Sequence, residues 1–201
     1  MIRYTTYLFI FLNVFGFSAV HSQVLDSLSF DTAYVYSDLK EALKNPDEIY
    51  RLSLRKLKLK TIPEDVYRLK NLNELDLGKN NIKELSGDII KLSYLQKLNL
   101  ERNQLETLPK EIGALKNLKQ LILNQNQIYT LPWEMGDLEK LEYIDLWSNN
   151  ISELPKTMKK LTNLKRIDMR VISLNQEQQD ALKNLFPDVI FDFSPACNCG
   201  K

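Results

Sequence analysis

Histidine is almost missing from this chain: His21 is the single example in 201 residues. It lies in the first 22 residues, which are read below as a segment removed on export. The remaining chain then has no imidazole, which excludes Ser-His-Asp and Cys-His nucleophilic sets and every histidine-containing metal site. Glycine is scarce, with six residues. No glycine-rich phosphate loop occurs, because Cys199-Gly200-Lys201 has no helix after it. No alternating aspartate run with a central glycine suggests a calcium loop. The two cysteines are Cys197 and Cys199. A bridge across one intervening residue makes a strained ring, and two thiolates without histidine are too few for a structural zinc site. Pairing with another chain, loose metal capture and an inessential tail stay open for them. Neither sign of charge is in excess, with 27 basic against 26 acidic residues, so net charge gives no reason to expect nucleic acid or a membrane surface as partner. These absences set the expectation: no catalytic residues, no metal, no cofactor.

Long apolar runs are also missing. Tyr7 to Phe17 is the main one, broken by Asn13 and Gly16, and it is shorter than the roughly 18 residues that a membrane span prefers. Arg3 precedes it, and Val20-His21-Ser22 offers small residues at the places a leader peptidase reads. Residues 1–22 therefore read as a secretory signal peptide, with a membrane anchor as the competing reading. The exported chain would be secreted or periplasmic, with no membrane attachment after cleavage.

What is abundant is leucine at fixed spacing. The chain reads Leu72-x-x-Leu75-x-Leu77-x-x-Asn80-x-Ile82, and the same pattern returns from Leu95, Leu118 and Leu141, always 23 residues on. The alternation in Leu75-Asp76-Leu77 is that of a strand with one buried face. Asn80, Asn103, Asn126 and Asn149 stand where the chain leaves each strand. A carboxamide both donates and accepts, so stacked copies would place these four in a structural ladder satisfying turn backbone. The second half of each unit, as in Leu108-Pro109-x-x-Ile112-x-x-Leu115, spaces apolar residues by three and four, which suits a short helical or irregular return. Pro63, Pro109, Pro132 and Pro155 fix φ where the return begins. Ser86 occupies that place in one unit, which predicts a less constrained turn.

The register extends outward. Ile49-x-x-Leu52-x-Leu54 starts one unit earlier, with Leu57 in place of the asparagine. Leu164-x-x-Ile167-x-Met169 adds a sixth strand, with Ile172 in that place. The predicted organisation is 1–22 signal peptide; 23–48 leader and N-terminal cap helix, with Asp38-Leu39-Lys40-Glu41 resembling a capping box; 49–174 repeats; 175–193 C-terminal cap, with a helix over Glu177–Leu185 turning Ala181, Leu182 and Leu185 inward and a last short strand near 189–193; and 194–201 a mobile tail. One unit cannot bury its own apolar face, so stability is shared between neighbours along a line.

A fixed period carrying L-x-x-L-x-L-x-x-N-x-L resembles the leucine-rich-repeat superfamily. The L-P-x-x-I-x-x-L return is similar to the 23-residue class of Ras-suppressor-like, disease-resistance-like and many bacterial proteins. The resemblance covers about 49–174. It implies an α/β fold: a curved leucine-rich-repeat solenoid with a concave parallel sheet and short convex return segments. It also implies a protein partner and a non-catalytic role. A structural protein that self-associates through the sheet edge or the cysteines is the alternative, and an enzyme the third reading. A monomer is expected under the first.

Register names the open face. The third, fifth, seventh and eighth residues of each unit point away from the core. Most are polar. Ile122, Tyr143 and Trp147 are not, and they lie in adjacent units. With Asp145, Arg166 and Arg170 they form the candidate contact site, since aromatic residues with arginines make interface hot spots; lateral packing on the sheet would explain them without a partner. Carboxylates such as Asp76, Glu101, Asp145 and Asp168 are expected to be solvated. Tyr129 and Trp133 fall on the return side. Arg51, Arg55, Lys56, Lys58 and Lys60 make a basic patch in the first unit, read as a solvated end face, with contact to an anionic surface as the alternative.

Overall fold

Each unit opens with a strand because Leu-x-Leu alternation buries every second side chain. The computed structural model describes residues 31–196. In it the six repeat strands are β2 (Arg51–Ser53), β3 (Glu74–Asp76), β4 (Lys97–Asn99), β5 (Gln120–Ile122), β6 (Tyr143–Asp145) and β7 (Arg166–Met169). Two further strands extend the sheet, β1 (Val35–Tyr36) and β8 (Ile190–Phe193). The eight strands lie side by side in chain order and every neighbouring pair is parallel. The strand near 189–193 was expected; β1 was not. The signal-peptide and cysteine readings fall on residues outside those described.

Register holds without slippage. Leu52, Leu75, Leu98, Leu121, Ile144 and Ile167 are cross-strand partners in turn, and all six are fully buried. Parallel strands need a crossover, and here it is one 3₁₀ turn per unit: Glu64–Arg68, Gly87–Lys91, Lys110–Ala114, Trp133–Asp137 and Lys156–Lys160. Their inward residues Val66, Ile89, Ile112, Met135 and Met158 complete the core. Ser86 adopts φ −66°, ψ 145°, close to the −69°, 151° of Pro109, and its hydroxyl accepts the Asp88 N–H at 3.1 Å. A cap hydrogen bond thus does what the proline ring does elsewhere, and the expected looseness of that turn is corrected.

Three of the return turns carry glycine, and in two of them it lets the next turn stack against its backbone. A Cβ on Gly113 would lie 2.5 Å from the Glu134 carbonyl oxygen, and one on Gly136 would lie 2.5 Å from that of Thr157. Only hydrogen fits there.

The four asparagines bridge units. Asn126 Nδ2 donates to Leu123 O at 2.8 Å within its own unit and to Leu100 O at 3.0 Å in the one before, while its Oδ1 accepts the Leu105 N–H at 3.0 Å. Asn80, Asn103 and Asn149 repeat this scheme one unit apart. Each reaches backward, so the first unit has no repeat behind it to bridge. Leu57 can therefore stand in that unit, and its side chain is exposed.

The residue before each ladder position is left-handed in all six units: Lys56, Lys79, Arg102, Gln125, Ser148 and Val171 have φ between 52° and 60°. None is glycine, and a β-branched residue such as Val171 is strained in that region. The Val171 N–H is fixed by the Ser194 hydroxyl at 2.8 Å. Ser194 O also accepts from Gln179 Nε2 at 3.2 Å, so Ser194, expected in the mobile tail, is tied to the C-terminal cap.

The caps differ from expectation in detail. Helix α1 (Leu39–Ala42) has Asp38 accepting the Lys40 N–H, an ordinary N-cap bond in place of the expected capping box. Helix α2 (Gln176–Leu185) has a full box between Asn175 and Gln178. Its core side is Gln179 and Leu182, followed by Phe186, whereas Ala181 faces solvent. Gln179 is buried because its amide bridges Leu174 O and Ser194 O.

Candidate functional site

The open face of the sheet consists of three columns that register fixes. The third-position column runs Val35, Arg51, Glu74, Lys97, Gln120, Tyr143, Arg166, Ile190. The fifth runs Ser53, Asp76, Asn99, Ile122, Asp145, Asp168, Asp192. The seventh lies just past the strands: Arg55, Gly78, Glu101, Asn124, Trp147, Arg170.

The first half of this face is a closed set of ion pairs. Glu74 binds Arg51 at 2.5 Å and Lys97 at 3.2 Å. Arg55 binds Asp76 at 3.0 Å and reaches Glu101, two units on, at 2.5 Å. Gly78 makes that reach possible, since a Cβ there would lie 2.5 Å from the Arg55 guanidinium. Both arginines of the expected basic patch are thereby neutralised, leaving Lys56, Lys58 and Lys60 exposed.

The second half holds the six candidate residues. Ile122, Tyr143 and Trp147 are half-buried on this face. Ile122 pairs across the sheet with Asp145, and Asp145 with Asp168. Tyr143 and Trp147 stand two residues before and two after Asp145, so the three apolar residues surround that carboxylate. Ring stacking does not link Tyr143 to Trp147; among the described residues the ring pairs are Tyr34–Tyr36, Phe186–Phe191 and Phe191–Phe193.

The carboxylates correct the expectation of solvation. Asp145 and Asp168 are 8% and 3% exposed. A backbone job holds them there. Asp76, Asn99, Asp145 and Asp168 each accept the N–H two residues on, from Gly78, Glu101, Trp147 and Arg170, at 2.9–3.0 Å. This turn closes the end of the strand. Asp168 also takes a forked contact from Arg170, at 2.6 Å for the closest pair, and Asp192 takes one from Arg166 at 2.5 Å. The Arg166 guanidinium holds the Asp192 carboxyl below its ordinary range. Burial pushes Asp145 up, against the Trp147 N–H. Tyr143 is pushed up to about 12 by burial first, with Asp145 and Asp168 adding to it. At neutral pH Tyr143 is thus a neutral hydrogen-bonding phenol. Arg166 and Arg170, both exposed, present guanidinium groups already engaged with carboxylates.

Sequence spacing put these six residues on one face but missed the polar ring around Asp145. Asn124 donates to Asp145 at 2.8 Å, and Asp192 extends the carboxylate row. Asn124 was visible in the seventh column; Asp192 lay beyond the last regular unit. Among the described residues no group of three His, Cys, Asp or Glu side chains is placed to hold a metal.

An open stack of parallel strands in constant register, backed by 3₁₀ turns and bridged by asparagines, defines a repeat solenoid with one broad accessible sheet face. The chain belongs to the leucine-rich-repeat family: the family model described as leucine rich repeat matches residues 47–105, 70–128 and 116–171. Solved structures agree in fold. A leucine-rich-repeat protein of Leptospira interrogans is 28% identical with TM-score 0.64, covering 82% of this chain and 49% of its own. Internalin C2 of Listeria monocytogenes is also 28% identical, TM-score 0.60, with 79% of this chain and 66% of that one covered. TLR13, in its complex with ssRNA13, is 28% identical with TM-score 0.59, covering 69% of this chain and 21% of that one. The chain thus spans about half the length of the Leptospira protein and a fifth of TLR13. No curated protein matches it significantly in sequence. Repeats of this family generally mediate protein–protein interaction.

Proposed function

We propose that this chain is a non-catalytic protein-binding module of the 23-residue L-P-x-x-I class, working through the concave face of its sheet. The contact residues are Ile122, Tyr143, Asp145, Trp147, Arg166 and Arg170. The observation that carries this reading is the break in surface character. Over the first three units the face is polar and internally ion-paired, whereas at β5 and β6 it turns aliphatic and aromatic. Half-buried aromatic residues beside arginines give large contact area at low entropic cost, as hot spots do. The partner is a protein rather than nucleic acid: among the described residues Asp145 at the centre of the aromatic sector carries no ion pair, and Arg166 and Arg170 are already engaged by aspartates, so the sector offers phosphate no free cation. The module acts as a monomer outside the cytoplasm, a reading supported by the charged start and short apolar run in residues 1–22.

The test is a double substitution, Tyr143→Ala with Trp147→Ala, followed by capture of a native partner. Loss of capture with unchanged circular dichroism and melting supports the site. Capture unchanged in a folded variant places the contact elsewhere.

A further inference from the structure

Six carboxylates stand on the open face, and five of them have a cation. Glu74, Asp76, Glu101, Asp168 and Asp192 are each bonded to arginine or lysine. Asp145 is the sixth, and among the described residues no lysine or arginine nitrogen forms an ion pair with it. Its hydrogen bonds come from the Trp147 N–H at 3.0 Å and the Asn124 amide at 2.8 Å. Arg170 is occupied by Asp168, and its pull on Asp145 is the weakest of the influences on that carboxyl. A carboxylate that is 8% exposed without a counter-ion is costly for a fold to keep.

The backbone turn does not require the charge. Asn99, at the same place in β4, accepts the Glu101 N–H at 2.9 Å with a neutral carboxamide. Beside Asp145, Asn124 Oδ1 is sealed from solvent and accepts no hydrogen bond. The donors at this site therefore fall short of its acceptors, and no ion pair supplies the missing charge. Two aromatic residues, Tyr143 and Trp147, flank it along the strand, and Ile122 borders it across the strand.

We infer that this sector receives a lysine or arginine side chain of a polypeptide partner, seated on Asp145 between Tyr143 and Trp147. The inference rests on the proposed contact face and gives its partner a chemistry. The incoming cation meets a charge-assisted hydrogen bond at Asp145 and ring faces on either side. Arginine suits the site better than lysine, because its planar fork can address the Asp145 carboxylate while it stacks on the indole. Asp168 and Asp192 are already taken by Arg170 and Arg166, so a second cation finds no open carboxylate in the row, and the expected motif is a single basic residue with apolar neighbours.

A displayed library of random peptides, selected in parallel on the whole chain and on its Asp145→Asn and Trp147→Ala variants, tests this. Asparagine preserves the turn, as Asn99 shows, so Asp145→Asn separates charge from fold. Peptides enriched on the parent chain should carry one arginine or lysine beside apolar residues. Their affinity should fall about tenfold or more on either variant, and replacing the basic residue with citrulline or norleucine should do the same. Peptides that need Trp147 but bind Asp145→Asn equally well would overturn the inference while leaving the contact face intact. Peptides indifferent to Trp147 would overturn both. Self-association of the parent chain that Asp145→Asn abolishes would make a second copy the occupant, which also overturns it.

Discussion

A single asparagine in this fold serves two units at once, and its removal has a calculable effect. Asn126 gives one hydrogen bond to each of Leu100 O and Leu123 O, and those carbonyls keep a second donor in Asn103 and Asn149 respectively. The Leu105 N–H has no such reserve, because Asn126 Oδ1 is its acceptor. Asn126→Ala should therefore cost one orphaned buried donor plus two weakened carbonyls, about 2–4 kcal/mol, measurable by urea denaturation of the parent and variant. Leu57→Asn, at the same place in the first unit, should gain nothing, having no repeat behind it. Asp145 makes the opposite prediction. Burial raises its folded carboxyl above the ordinary 3.8, so the folded state holds its proton more tightly than the unfolded chain does. Its favourable contribution is complete below pH 3.8 and is lost as pH rises through the folded value. Asp145→Asn should thus equal or exceed the parent in stability at pH 7, and that advantage should vanish as pH falls below 3.8. A parent more stable than the variant at pH 7 would mean that Asp145 has a favourable charge partner after all.

The return turns show how an element can depend on one absent atom. Gly136→Ala improves local helical preference, yet its Cβ would sit 2.5 Å from the Thr157 carbonyl oxygen and 2.6 Å from its carbon, which are backbone atoms of the next unit. The turn must move, and overpacking of this kind costs about 1–3 kcal/mol. Gly78→Ala meets an equally short contact, but with the tip of Arg55. That side chain can swing away at the loss of its reach to Glu101, a partly exposed ion pair worth less than about 1 kcal/mol. Thermal melts should therefore rank Gly136→Ala well below Gly78→Ala. Equal melting temperatures would show that the turns have slack. The strands and turns were legible in the sequence because Leu-x-Leu and L-P-x-x-I are imposed by burial, and burial is what periodicity records. The left-handed residues were not. A position filled by lysine, arginine, glutamine, serine and valine carries no glycine signal, and it is left-handed even where Leu57 or Ile172 replaces the asparagine that follows. Asp145 and Asp168 were assigned to the right face but the wrong environment, since spacing reports direction and not what covers a side chain.

At the largest scale, the sheet of the described residues runs from β1 to β8 without closing, and stacking in register makes its stability a chain of neighbour contacts. Interior strands such as β4 and β5 exchange hydrogen bonds with both neighbours: Lys97 N donates back to Asn73 O at 3.0 Å while Leu100 N donates forward to Ile122 O at 2.8 Å. β1 has two residues and, among the described residues, one neighbour, and Tyr34 before it and Val35 within it are exposed. β8 is longer, is pinned through Arg166 to Asp192, and carries Phe191 and Phe193, stacked at 5.2 Å, with Phe186 against Phe191. The two caps are therefore unequal, and local opening should begin at the β1 end. Native-state hydrogen exchange should show the Leu100 and Leu123 amides near the global limit. Amides of β1 and β2 should open at lower free energy by a few kcal/mol, about one neighbour interface, and those of β7 should lie closer to the centre. Uniform protection from β1 to β8 would mean the solenoid opens as one unit. In that case the load on each asparagine bridge would be shared along the whole stack rather than carried between neighbours.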